Sequence, residues 1–133
     1  MIGVAKVLSA VLLAGTVHGH APARTELTLS IRDGAGAYGP VVGRTTLTCA
    51  PQGGAHPEAA AACRALDAAG GDLNRLRGRK GVCTMIYRQV TAVAYGHRGA
   101  RPVRFTKTYD NACRLKSALA PVYDFTAGPA AQA

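Results

Sequence analysis

The chain of 133 residues has one domain's length, carries 16 Lys or Arg against 7 Asp or Glu, and has a formal charge of +9. That balance suits acidic proteins, nucleic acid or anionic surfaces as partners. The dense basic run Arg75, Arg77, Arg79 and Lys80 has no aromatic nearer than Tyr87 and the chain has no Trp, so the stacking platforms of a nucleic-acid binder are missing and the run reads as solvated surface.

The amino terminus reads as an address. Lys6 precedes an apolar run from Val7 to Val17, and the small residues of Gly19-His20-Ala21-Pro22-Ala23 suit cleavage after Ala21 or Ala23. The run is shorter than the ~20 apolar residues of a membrane span, so no membrane attachment is expected. Residues 1–23 are expected to be a secretory signal, 24–125 a single domain and 126–133 a patternless tail.

Within the domain, Thr25 to Arg32 alternates, with Leu27, Leu29 and Ile31 on one face, and predicts a half-buried strand. Asp33-Gly34-Ala35-Gly36 breaks it. A second strand is expected at about 42–49, with Thr45, Leu47 and Cys49 sharing a face. Pro57 suits a first helical position and Glu58 the amino-terminal dipole. Ala59, Ala62, Cys63 and Leu66 then recur at helical spacing until Gly70-Gly71 stops the helix, and Asp72 caps one more turn. Val90 to Tyr95 predicts a strand, Gly96-His97-Arg98-Gly99 a turn, and Val103, Phe105 and Tyr109 one face of the next strand. Pro121 to Phe125 supplies a last short strand. Together these elements predict an α+β domain with an antiparallel sheet.

Catalytic chemistry finds little material. After the signal segment the only histidines are His56 and His97 and the only serines Ser30 and Ser117, with no Gly-x-Ser-x-Gly elbow. His56 reads as a loop residue before the helix and His97 as a turn residue. Cys49, Cys63, Cys83 and Cys113 include no Cys-x-x-Cys pair, so neither a metal nor any other cofactor is expected. An even number of cysteines in an exported chain predicts two disulfides, with three possible pairings.

The informative segment is Gly81-Val82-Cys83-Thr84-Met85-Ile86-Tyr87. By periodicity alone Met85, Ile86 and Tyr87 begin the following strand. A bridge at Cys83 instead clamps them as an exposed loop.

These residues carry a resemblance to the Streptomyces subtilisin inhibitor family over roughly 27–125. Its pieces are Leu47-Thr48-Cys49-Ala50-Pro51, Gly54-Ala55-His56-Pro57, Ala69-Gly70-Gly71-Asp72-Leu73-Asn74, Val82-Cys83-Thr84-Met85-Ile86-Tyr87, Asn111-Ala112-Cys113 and Val122-Tyr123-Asp124-Phe125. The resemblance implies a five-stranded antiparallel sheet with two helices on one side, a homodimer, and bridges Cys49–Cys63 and Cys83–Cys113. Loop-closure entropy would make those bridges worth roughly 3 and somewhat under 4 kcal/mol. It implies a secreted inhibitor of subtilisin-like serine proteases, with chymotrypsin-like enzymes a second target class, and not an enzyme. The scissile bond falls at Met85–Ile86 within the binding loop Val82, Cys83, Thr84, Met85, Ile86 and Tyr87. Asn111 is implied to support that loop from the adjacent segment; from the residues alone it reads equally as a turn former.

Three departures stand out. Thr84 occupies a position where many relatives carry proline, and a hydroxyl hydrogen bond is expected to replace the lost stiffness. Val82 stands where some have methionine. Arg88-Gln89 replaces the usual aspartate-proline after the tyrosine. Two rival readings are an inhibitor of trypsin-like enzymes through Arg79, Lys80 or Arg88, and a basic binding module without inhibitory activity.

Overall fold

Alternation in the first strand sets the architecture. The structure is a computed structural model that describes residues 23–126 together with Gly3 and Gly15. But for Ala23, Thr126 and those two glycines, the expected signal segment at 1–23 and tail at 126–133 lie outside the described residues. Strand β1 (Thr25–Asp33) turns Leu27, Leu29 and Ile31 inward and buries all three. It pairs antiparallel with β2 (Val41–Cys49) and β3 (Val90–Arg98), and β3 pairs with β4 (Arg101–Tyr109), in the order β2-β1-β3-β4. The register sets Leu47 beside Leu27 and Thr45 beside Leu29 on one flank, and Ala94 and Ala92 beside Leu29 and Ile31 on the other. Thr45, Leu47 and Cys49 are buried together, as expected.

Two helices complete the core. Helix α1 (Ala59–Ala68) buries Ala62, Cys63 and Leu66, and α2 (Ala112–Leu119) buries Ala112, Leu115 and Leu119. Both helices, the inner sheet face, Val122, Tyr123 and Phe125 form one buried cluster. Asp72 caps the short 3-10 turn Leu73–Arg75 by accepting from the Asn74 N–H at 2.9 Å.

Three expectations are corrected. The sheet has four strands among the described residues, not five: Pro121–Phe125 forms turns, with the Tyr123 N–H on Leu119 O and the Asp124 N–H on Pro121 O. Gly96, His97 and Arg98 continue β3, and the turn is confined to Gly99 and Ala100. A Cβ on Gly96, at φ 149°, would fall on the Glu26 carbonyl, so glycine here serves close strand approach rather than a turn. His56 is a loop residue before the helix, as expected, with its side chain buried: Nδ1 accepts from the Glu58 N–H at 2.9 Å and Nε2 donates to Val122 O at 2.7 Å. The ring holds Pro57 and Glu58 in a turn, and α1 begins only at Ala59. The sheet face away from the helices is mixed in character. By register it carries Thr28, Arg44, Thr46, Arg104 and Thr106 around Val93 and Tyr95.

Candidate functional site

Between the 3-10 turn and β3 the chain runs through 76–89 without regular structure, yet it is tied at several points. Gly78, at φ 68°, lies so close to the end of α2 that a Cβ would meet the Ser117 and Ala118 carbonyls. Only glycine combines that approach with that conformation. The Arg79 N–H then donates to Ser117 O at 2.7 Å, and its guanidinium pairs with Asp124. The Arg79 pKa is raised above its ordinary value, first by the hydrogen bond to Asp124 and then by that carboxylate's charge.

Beyond this anchorage the apolar side chains point outward. Val82 is fully exposed, Met85 is 84% exposed and Tyr87 71%, with Ile86 about half exposed. Four exposed apolar side chains on one short segment oppose the burial tendency that organises β1. They do not begin β3, which starts at Val90.

What holds the segment out is α2. Cys83 is bridged to Cys113 and Cys49 to Cys63, the pairing implied by the resemblance. Two residues before Cys113, Asn111 performs two tasks from a buried position. Its Oδ1 accepts from the Arg114 N–H at 2.9 Å, capping α2. Its Nδ2 donates to Thr84 O at 3.2 Å and to Ile86 O at 2.8 Å, the carbonyls on either side of Met85. Fixing the helix cap and the loop backbone with one amide makes the loop an extension of α2.

The exit is tied as well. The Arg88 N–H donates to Asp110 O at 2.8 Å, the Arg88 guanidinium lies 3.6 Å from the Asp33 carboxylate, and the Gly34 N–H donates to Gln89 O at 2.9 Å. Arg88 therefore supplies a restraint in the place of the missing aspartate-proline. The hydroxyl expected to stiffen Thr84 has no hydrogen-bond partner among the described residues; its carbonyl, on Asn111, carries the restraint.

The structure brings Val82, Cys83, Thr84, Met85, Ile86, Tyr87 and Asn111 into one unit. The second bridge pair, Cys49 and Cys63, lies in the core. Sequence reasoning missed Arg114, whose Nη2 stands 3.7 Å from Met85 Sδ. Its position next to Cys113, the bridge partner of Cys83, was the available signal. His97 sits in β3 with Nε2 3.4 Å from a Glu26 carboxylate oxygen, far along the strand from this segment. No cluster of His, Cys, Asp or Glu among the described residues is arranged to hold a metal ion.

Residues 23–111 match the model of the family described as subtilisin inhibitor-like. A subtilisin inhibitor of Streptomyces violaceus is 39% identical over 116 residues, covering 80% of each chain. Subtilisin inhibitor-like protein 1 of Streptomyces cacaoi is 38% identical over 109 residues, covering 77% of this chain and 97% of its own. Among solved structures, Streptomyces caespitosus sermetstatin in complex with Bacillus licheniformis subtilisin superposes with a TM-score of 0.66 at 36% identity, covering 78% of this chain and 99% of that one.

Proposed function

The chain belongs to the subtilisin inhibitor-like family, whose members are protease inhibitors and not enzymes, and from that premise we propose that it inhibits subtilisin-like serine proteases by offering Met85–Ile86 as a bond that is bound but poorly turned over. The observation that carries the placement is the Asn111 amide, which grips the Thr84 and Ile86 carbonyls while leaving Met85 between them exposed. A substrate must be extended and ordered in the protease cleft, which costs roughly 0.5–1.5 kcal/mol per immobilised side chain. Here that ordering is already present in the free protein. The backbone of the loop can then pair with the edges of the cleft, with Met85 in the primary pocket and Val82 in an apolar pocket three residues upstream.

The same grip explains resistance to cleavage. After hydrolysis of Met85–Ile86 the new ends would remain attached, one through Thr84 and the Cys83 bridge, the other through the Ile86 carbonyl and the Arg88 ties. Ends that cannot separate favour resynthesis of the bond.

Titration of the purified protein against subtilisin, chymotrypsin and trypsin tests the reading, with the slowly cleaved bond identified by mass spectrometry. Subtilisin inhibition with cleavage after Met85 is expected; cleavage elsewhere, or no inhibition, overturns it. Against a trypsin-directed inhibitor stands the engagement of Arg79 with Asp124 and of Arg88 with Asp33. Against a purely basic binding module stands the outward apolar loop.

Export and removal of residues 1–23 belong to the same reading, supported by two disulfides that suit an oxidising compartment. A homodimer also belongs to it, through the sheet face left open by the helices. Tyr95 and Val93 at its centre would supply the buried contact. Light scattering at micromolar concentration should give twice the domain's mass.

A further inference from the structure

We propose that the basic side chains beside the bait loop select subtilisin-like proteases whose clefts are rimmed by acidic residues. The inference rests on the inhibitory reading above and adds the surface chemistry of the partner.

Arg77, Lys80 and Arg114 are exposed and have no ion-pair partner among the described residues. Arg77 and Arg114 line one cleft with Cys83, and Lys80 lies two residues before Val82. Arg114 is the closest of the three to the bait, with its guanidinium 3.7 Å from the Met85 sulfur. Any cleft that receives Met85 receives this cation at its rim. The neighbouring charges do not cancel the three. Arg79 is matched by Asp124 and Arg88 by Asp33, while Lys107 lies over the Tyr109 ring. Asp110 is the one carboxylate beside the loop without an ion pair among the described residues. Lys107 keeps its charge over the ring, so the balance at the loop is four cations without an ion pair, Arg77, Lys80, Arg114 and Lys107, against one such carboxylate, Asp110.

Charges at an interface rim act mainly on encounter, raising association with an opposite surface and penalising a like one. The effect is local, because screening sets in beyond ~10 Å at 0.1 M salt. The β3–β4 hairpin is also basic, with Arg24 and Arg101 near it, but it lies at the other end of strands roughly 27 Å long at 3.4 Å per residue. Charge at that end is too distant to contribute, which supplies an internal control of equal net charge.

The test measures association rate constants against two subtilisins, one with an acidic and one with a basic cleft rim, across a range of ionic strength. With the acidic enzyme, association of the parent protein should slow as salt rises. The R77E/K80E variant should associate about tenfold more slowly at low salt, within the range that steering spans, and should gain with the basic enzyme. The R24E/R101E control should stay within about twofold of the parent. Rates blind to salt and to the enzyme's charge, or an equal fall in the control, overturn the inference while leaving inhibition intact. Failure of the parent to inhibit either enzyme overturns the inhibitory reading and this inference with it.

Discussion

The two disulfides span the same Cα–Cα distance, 5.7 Å, in opposite surroundings. Cys49–Cys63 ties β2 to α1 inside the core, where both cysteines are buried. Cys83–Cys113 ties α2 to a segment whose apolar side chains face water. In the first region burial and the bridge act in the same direction, and the bridge adds to a fold that hydrophobic packing already favours. In the second they are opposed: Val82, Met85, Ile86 and Tyr87 would gain by burial, and the bridge, the Asn111 amide and the Arg88 ties hold them out. One covalent bond therefore serves stability in one place and display in the other.

The sharpest probe of display is the displayed side chain. Met85→Lys should cost inhibition of subtilisin by ~30-fold or more, the scale of a buried interface anchor. It should create inhibition of trypsin, whose aspartate-based pocket rewards a cation. Inhibition constants against both enzymes report the exchange, and thermal stability should move little, because Met85 is largely exposed. An unchanged profile would place the bait elsewhere.

Next come the bridges, each replaced by a pair of serines. Both losses should destabilise, by ~2–5 kcal/mol on the usual scale, read by denaturant unfolding. Their effects on inhibition should diverge. C49S/C63S, once shown to be folded, should inhibit as lastingly as the parent. C83S/C113S should bind more weakly and be cut at Met85–Ile86, turning from inhibitor to substrate over hours. Equal persistence in the two variants would erase the distinction between a core bridge and a display bridge.

Asn111 separates the two duties within one residue. Asn111→Ala removes both the α2 cap and the loop bonds, costing ~1 kcal/mol for the cap and a similar amount per lost hydrogen bond. Asn111→Asp keeps an oxygen for the Arg114 N–H but sets a carboxylate against two carbonyls. It should hold more of the parent's stability than the alanine variant and yet be cleaved faster than the parent. Unfolding midpoints and the rate of bait cleavage, measured side by side, distinguish cap from clamp.

The core was more legible in the sequence than the display. Leu27, Leu29 and Ile31 gave β1 through alternation alone, and Thr45, Leu47 and Cys49 gave β2, because burial leaves a period. Helix α2 was open to the same reasoning, through the Asn111 cap and the Leu115, Leu119 spacing, but became an expectation only through the family resemblance. The loop leaves no period. Its apolar residues read locally as the start of a strand, and the ties that oppose this come from Asp33, Asp110 and Asn111, remote in sequence from the loop. Turn chemistry misled at Gly96, where a close backbone approach looks in sequence like a bend. The run Val122 to Phe125 has strand-forming residues, yet its amides are used in turns after α2.

The mildest expected effect falls on the core alone, and it is alkaline. Tyr123 is fully buried and its hydroxyl donates to Val93 O at 2.7 Å. Burial raises its pKa far above the ordinary tyrosine value, with the charge of Tyr109 a lesser cause in the same direction. In the unfolded chain the same phenol titrates near pH ~10. The folded state therefore keeps a proton that the unfolded state releases above that pH. The stability this contributes is complete below pH ~10 and declines as pH rises, at ~1.4 kcal/mol per pH unit while the folded phenol stays neutral. Tyr123→Phe removes the titration along with one hydrogen bond, so it should lower stability at neutral pH and flatten the decline above pH ~10. Thermal unfolding from pH ~8 to ~11.5 checks both features. Bait cleavage should not follow that decline while the protein remains folded, because the loop's ties run to Asn111, Asp110, Asp33, Gly34, α2 and, through Arg79, to Asp124, and none runs to the Tyr123 side chain. A cleavage rate that rises with the first loss of core stability would mean that the loop is held by the core as a whole, and not by its own ties.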